Sequence, residues 1–283
     1  MSDTEPEHEA QPSPQSNGAS IKGAPSHGAW MDDMAFCIMF FTRLPVAHVP
    51  HNAPDYTRLW RAAPVAGAML GVLGSIVVFA LGLLNAPAFL TAAIVLGVLS
   101  LLGGALHDDG LADVADGFGG GHDRTRKMEI MRDSHIGSYG VFALILFFAV
   151  QLSAIAAIYD TAPLAAALAL IAIGGWSRML ALLQQIILEP ARSDGLGATM
   201  GPISLTATAQ GIAISGGVLV LTGLAAGLVV PFALAAVLAG FATWGFAEIA
   251  RSQIGGYTGD TIGAAQQIAH ATFLISLALA ATG

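Results

Sequence analysis

Residues 107–140 read HDDGLADVADGFGGGHDRTRKMEIMRDSHIGSYG and decide how the rest of the chain is understood. They hold seven of the nineteen acidic residues and four of the eleven basic ones, between flanks that are almost uncharged. Asp109, Asp113 and Asp116 stand at i, i+4 and i+7. At about 100° per residue, a helix gathers them within roughly 60° of one another. Carboxylates on one face repel unless a cation sits among them, and oxygen-only ligation suits Mg²⁺ or Mn²⁺ rather than zinc. Asp109, Asp113 and Asp116 are therefore the expected metal ligands. Gly110 and Gly117 admit another backbone or a phosphate. The competing reading is a solvated acidic loop. Against it stand the Asp-x-x-x-Asp-x-x-Asp spacing, the glycine triplet at 119–121 and the basic cluster leading to Asp133.

The flanks set the fold class. Of 283 residues, 55% are hydrophobic and 11% charged, against about 25% charged in a soluble domain. Apolar runs approach the roughly 20 residues that cross a bilayer. The expectation is an all-α, polytopic helical membrane protein, with the lipid bilayer as a partner. No alternating strand pattern suggests a barrel. The single cysteine, Cys37, excludes disulfide frameworks and paired-cysteine metal sites. The net charge of −8 is no sign of nucleic-acid binding, and four of the acids lie in the first nine residues.

Residues 1–28 are polar, lack an apolar stretch and read as a disordered tail rather than a signal peptide. Residues 29–283 form one integral membrane domain. Within it, 30–44 are too short and too charged to span, and read as an interfacial or re-entrant helix with Phe36, Phe40 and Phe41 in the lipid. Arg58, Trp60 and Arg61 read as a basic-aromatic membrane edge. Seven spans follow, near 65–84, 88–106, 139–158, 164–188, 207–230, 232–250 and 264–281.

With the N-terminus inside, segments 1–64, 107–138, 189–206 and 251–263 carry ten Lys and Arg, and the external segments carry none. Lys and Arg favour the cytoplasmic side, so the acidic stretch is expected there, with the C-terminus outside. The same orientation gathers two Gly-rich loops on that side, 189–201 with Asp194 and 251–263 with Asp260. Arg178 and Glu248 lie near the cytoplasmic ends of spans, where a charge either snorkels or serves a site. The small residues around Arg178 favour a phosphate- or carboxylate-facing role.

Clustered carboxylates with nearby Arg and Lys fit Mg²⁺-assisted phosphoryl transfer. A transporter would place its acids near the midplane, at a repeat interface; here they lie in a loop at the interface, and no internal repeat is visible. The stretch is similar to the Asp-Gly-x-x-Ala signature of the CDP-alcohol phosphotransferases, but those enzymes have an arginine after the alanine and longer spacings, and here Asp113 follows Ala112.

A fuller likeness comes from several motifs in order: LHDDGLADVADGFGGG with KMEIMRDSHIGSYG, FFTRLPV at 40–46, RLWRAAPVAGAMLG at 58–71, SRML at 177–180, ARSDGLG at 191–197 and GGYTGDTIGA at 255–264. Together they resemble the cobalamin synthase family, the adenosylcobinamide-GDP ribazoletransferases, from about residue 34 to 270. That resemblance implies a Mg²⁺-dependent enzyme of the bacterial inner membrane. It would join adenosylcobinamide-GDP to α-ribazole or its 5′-phosphate and release GMP. Asp133 or Asp116 would take the proton of the attacking hydroxyl, and Arg178 would act with them. Arg132, Arg192, Lys127, Asp194 and Asp260 would bind substrate. A homo-oligomer is a further expectation. One departure stands out: Gln266, Gln267 and His270 occupy a stretch where the family leads one to expect acids.

Overall fold

The computed structural model describes residues 27–48 and 54–282. Apart from its last two residues, the expected tail 1–28 lies outside them. Residues 27 and 28 begin α1 (His27–Phe41). A 3-10 turn (Leu59–Ala62) leads into α2 (Ala63–Leu83), followed by α3 (Ala88–Leu102), α4 (Leu106–Gly120), α5 (Arg124–Ile130) and α6 (Ser138–Thr161). Then come α7 (Pro163–Leu182), α8 (Gln184–Ile187), α9 (Leu196–Met200), α10 (Leu205–Ala226), α11 (Val229–Ile254) and α12 (Gly259–Thr282). Six helical stretches are long and apolar enough to cross a membrane, and α3 with α4 forms a bent pair that makes a seventh if counted as one span. The helical, polytopic architecture matches the expectation from hydropathy.

The closest helix pairing is α2 with α7. Gly67 faces Gly174, and Gly71 faces Leu170, so tightly that a Cβ on either α2 glycine would strike the α7 backbone. Small residues let bilayer helices approach in this way, where packing replaces the hydrophobic drive. A shared core of Val95, Ile155, Ile158, Ile173, Phe232 and Phe273 joins α3, α6, α7, α11 and α12.

Four expectations are corrected. The span foreseen at 88–106 ends at Leu102, and α4 leaves at 92° to α3. Gly104 and Ala105 both take left-handed backbone at this elbow, with φ of 66° and 55°. The aspartates therefore ride on a helix turned out of the spanning direction, not on a loop. Second, the last span begins at Gly259, five residues early. Thr258 and Thr261 cap it reciprocally, each side-chain oxygen accepting from the other's backbone N–H. Third, Phe41 does not face lipid. It is buried, stacks on His107 at 5.7 Å and packs edge-on against Trp60.

Fourth, Trp60 and Arg61 are not a membrane edge. Arg61 is 2% exposed and Asp33 of α1 3% exposed. Asp33 accepts from Arg61 Nε at 2.9 Å and from Arg58 Nε at 3.1 Å, while the Arg61 guanidinium lies over the Trp30 ring. A buried arginine needs a carboxylate, and α1 supplies it. This ion pair fastens α1 to the start of α2.

Candidate functional site

The polar end of the bundle is built around α4. Asp108 and Asp109 occupy its first turn, where the positive end of the helix dipole favours them. Gly110 meets α12 so closely that a Cβ there would lie 2.8 Å from the Asp260 carbonyl oxygen. That crossing brings Asp260, in the first turn of α12, to Asp109 and Asp113. Burial, then the charges of Asp109, Asp260 and Asp116, push the Asp113 carboxyl up to about 7. Asp109, Asp113 and Asp260 are thus a crowded negative cluster drawn from two helices.

Asp116 shares the face but has a second task. It is 7% exposed, and its two oxygens accept from the backbone N–H groups of Gly137 at 2.7 Å and Gly140 at 2.9 Å. The start of α6 has no other side-chain cap, so Asp116 satisfies donors that would be left unpaired. Asp133 stands beyond it, on a small cavity of about 340 Å³ shared with Asp116, Arg126 and Ser138. His135 Nδ1 lies 2.6 Å from Asp133 and holds its carboxyl below the usual range.

The Gly-rich loops converge here, as expected from sequence. Residues 189–191 pair with Tyr257 through Tyr257 N–H to the Glu189 carbonyl and Ala191 N–H to the Tyr257 carbonyl. Tyr257 O–H donates to the Gly197 carbonyl. This clasp sets Arg192 3.8 Å from Asp260. The cations of α5 and of the turn that follows it mostly hold the loops together. Arg132 donates to both oxygens of Asp194 at 2.7 and 2.9 Å, Lys127 pairs with Gln253, and Arg124 donates to the Ala191 carbonyl. Glu248 is taken up by Arg251 at 2.8 Å.

Arg178 is not part of this cluster. It lines a separate cavity of about 930 Å³ with His107, Asp108, Gln266 and His270, on the other side of α4. The unexpected polar residues of α12 find partners there. Gln267 donates to Asp108 and accepts from Gln151, whose own carbonyl oxygen lies 2.7 Å from His270 Nδ1. Sequence reading placed Asp260 with the substrate ligands; the crossing at Gly110 adds it to the carboxylates around Asp113. It missed Asp33 altogether, although an acid in the apolar helix α1 was a signal.

As to metal, the donors are oxygen-only and their charges crowd, which suits a hard divalent cation. Among the described residues, however, no three His, Cys, Asp or Glu side chains converge on one ion. Mg²⁺ is commonly held by one or two carboxylates together with substrate phosphates.

These features define a polytopic membrane protein whose carboxylates, arginines and glycine loops meet at one end of a helical bundle, an arrangement suited to phosphoryl transfer. The family described as cobalamin-5-phosphate synthase matches residues 33–278, and the chain belongs to it. A relative from Mesorhizobium japonicum, 41% identical over 88% of this chain and 94% of its own length, is called adenosylcobinamide-GDP ribazoletransferase. One from Rhizobium meliloti, 40% identical over 88% of this chain and 97% of its own, bears the same name, as does one from Azorhizobium caulinodans at 36%, covering 89% and 97%. No solved structure matches the chain.

Proposed function

We propose that the chain is a Mg²⁺-dependent transferase that joins adenosylcobinamide-GDP to α-ribazole or α-ribazole 5′-phosphate and releases GMP. The site lies on the cytoplasmic face of the bacterial inner membrane. The ten-to-zero distribution of Lys and Arg between the two sets of segments supports that orientation. The observation that carries the chemistry is the meeting of Asp109 and Asp113 with Asp260 and Arg192 where α4 crosses α12.

In the reaction, the ribose 3′-hydroxyl oxygen forms a bond to the phosphorus attached to cobinamide. The bond from that phosphorus to the oxygen leaving with GMP breaks, and GMP keeps the electron pair. Asp109 and Asp113 would hold Mg²⁺, whose chemistry when bound is to neutralise diphosphate charge and stabilise the leaving group. Arg192 grips the diphosphate, since a guanidinium can hold phosphate oxygens in pairs. Asp133, steadied by His135, accepts the hydroxyl proton and positions the nucleophile. Asp116 holds α6, and through it the segment that carries Asp133. Arg132 and Asp194 keep the 189–201 loop closed against α5, and Lys127 ties α5 to α11. Arg178 has no part in this reading.

The test is GMP release by the purified protein in nanodiscs. GMP that appears only with both substrates and Mg²⁺ supports the reading. Absence of GMP from folded protein with all three present overturns it.

A further inference from the structure

Arg178 is a buried cation without a counter-charge. It is 6% exposed. Its Nη1 donates to the Gly174 carbonyl of its own helix at 2.9 Å, its Nε has no partner, and it forms no ion pair among the described residues. Beside it, Gln266 donates from Nε2 to Ser177, the residue next to Arg178, but its Oε1 accepts nothing. The lining of this cavity therefore includes a cation and an amide that both hold unused hydrogen-bonding groups. A charge held this way within a span points to a ligand, and the ligand must bring an anionic oxygen and a donor.

The shape of the cavity indicates where the ligand comes from. The space runs between α3 and α6 from Phe89 to His107, and its lining is mostly apolar. Phe89, Leu101, Ile145 and Phe148, on either side of it, are exposed on the membrane-facing surface. Arg178 lies at the polar end of this groove. Phe41 stacks on His107 and sits 5.7 Å from the Arg178 guanidinium. Two residues on, the Arg43 N–H bonds to the carbonyl of Leu102, the last residue of α3. The guanidinium is thus level with the end of α3, where the apolar helix stops, and α4 separates it from the carboxylate cluster.

We propose that the α3–α6 groove binds one anionic glycerophospholipid. Its phosphate sits on Arg178, a headgroup hydroxyl donates to Gln266, and an acyl chain runs along Gly97 toward Phe89. Basic pockets between membrane helices recognise headgroups in this way.

Native mass spectrometry of the delipidated protein tests this with phosphatidylglycerol, phosphatidylcholine of the same chains, and glycerol 1-phosphate. The expected result is one retained phosphatidylglycerol, with phosphatidylcholine bound at least about tenfold more weakly, because its choline brings a second cation beside Arg178 and offers Gln266 no hydroxyl. Arg178→Gln should weaken phosphatidylglycerol retention and narrow that preference. Because this variant leaves a hole in the core, Gly97→Leu is the second arm. A Cβ at Gly97 meets nothing within 4 Å, so the leucine fills the groove without strain and should expel the lipid while Arg178 stays in place. Equal retention of both lipids overturns the proposal, as does phosphatidylglycerol binding that survives Gly97→Leu. Glycerol 1-phosphate binding as tightly as the lipid would mark a soluble-phosphate site and overturns it too.

Discussion

Gly110 of α4 and Asp260 of α12 touch backbone to backbone, with room for no side chain between them. This contact sets the distance between carboxylates borne by two helices. Gly110→Ala should push the helices apart, at a cost of about 1–3 kcal/mol for overpacking. The expected kinetic effect is a fall in kcat larger than any rise in KM, because the groups that act together no longer meet. Steady-state GMP release, paired with thermal unfolding in detergent, separates the two effects. An alanine variant with unchanged kcat would mean that the crossing does not position the site.

Asp109 and Asp116 share a helix face and should behave differently. Asp109 is exposed, so Asp109→Asn should leave unfolding nearly unchanged, while the Mg²⁺ concentration needed for half-maximal activity rises sharply. Asp116→Asn should lower thermal stability, because one amide oxygen replaces two carboxylate oxygens that serve Gly137 and Gly140. A buried donor left unpaired costs about 1–3 kcal/mol. A Mg²⁺ titration and a melting curve on each variant check the contrast.

The Asp113 carboxyl gives a pH signature. The folded chain keeps its proton up to about 7, whereas the ordinary carboxyl value is 3.8. Between those values the unfolded chain has already released the proton, so stability without divalent ions falls as pH rises through this window and levels off above it. Asp113→Asn should remove that fall and melt higher than the parent at pH 8. Added Mg²⁺ should raise the parent's melting temperature at pH 8 and leave the asparagine variant's little changed.

Asp33→Asn tests the fastening of α1. The substitution leaves Arg61, 2% exposed, without its counter-charge. Removing one partner of a buried ion pair costs about 3–5 kcal/mol, so the variant should melt far lower or fail to accumulate. The outcome is read from detergent-solubilised yield and unfolding temperature.

Much of this architecture is legible in local pattern. Hydropathy marks the long helices, and the spacing of Asp109 and Asp113 puts them on one face because that face is a property of a single helix. What could not be read depends on contacts between distant segments. Asp116 has the right period for a third ligand, but α6 begins beside it without a cap of its own. Asp33 and Arg61 are separated by the turn from α1 to α2, and nothing in either stretch announces the other. Arg192 reaches Asp260 only because Tyr257 clasps the 189–191 segment. Arg178 and the aspartates all lie toward one end of the bundle, and sequence order does not reveal that α4 stands between them.

His107, Asp108 and Leu111 border the membrane groove, while Asp109 and Asp113, on the same few turns, belong to the polar cluster. The partition between oil and chemistry is one helix thick, held at a glycine crossing on one side and by Asp116 on the other. A molecule filling the groove would press on the backbone that carries the carboxylates, which would make the surrounding bilayer a mechanical neighbour of the site as well as its support.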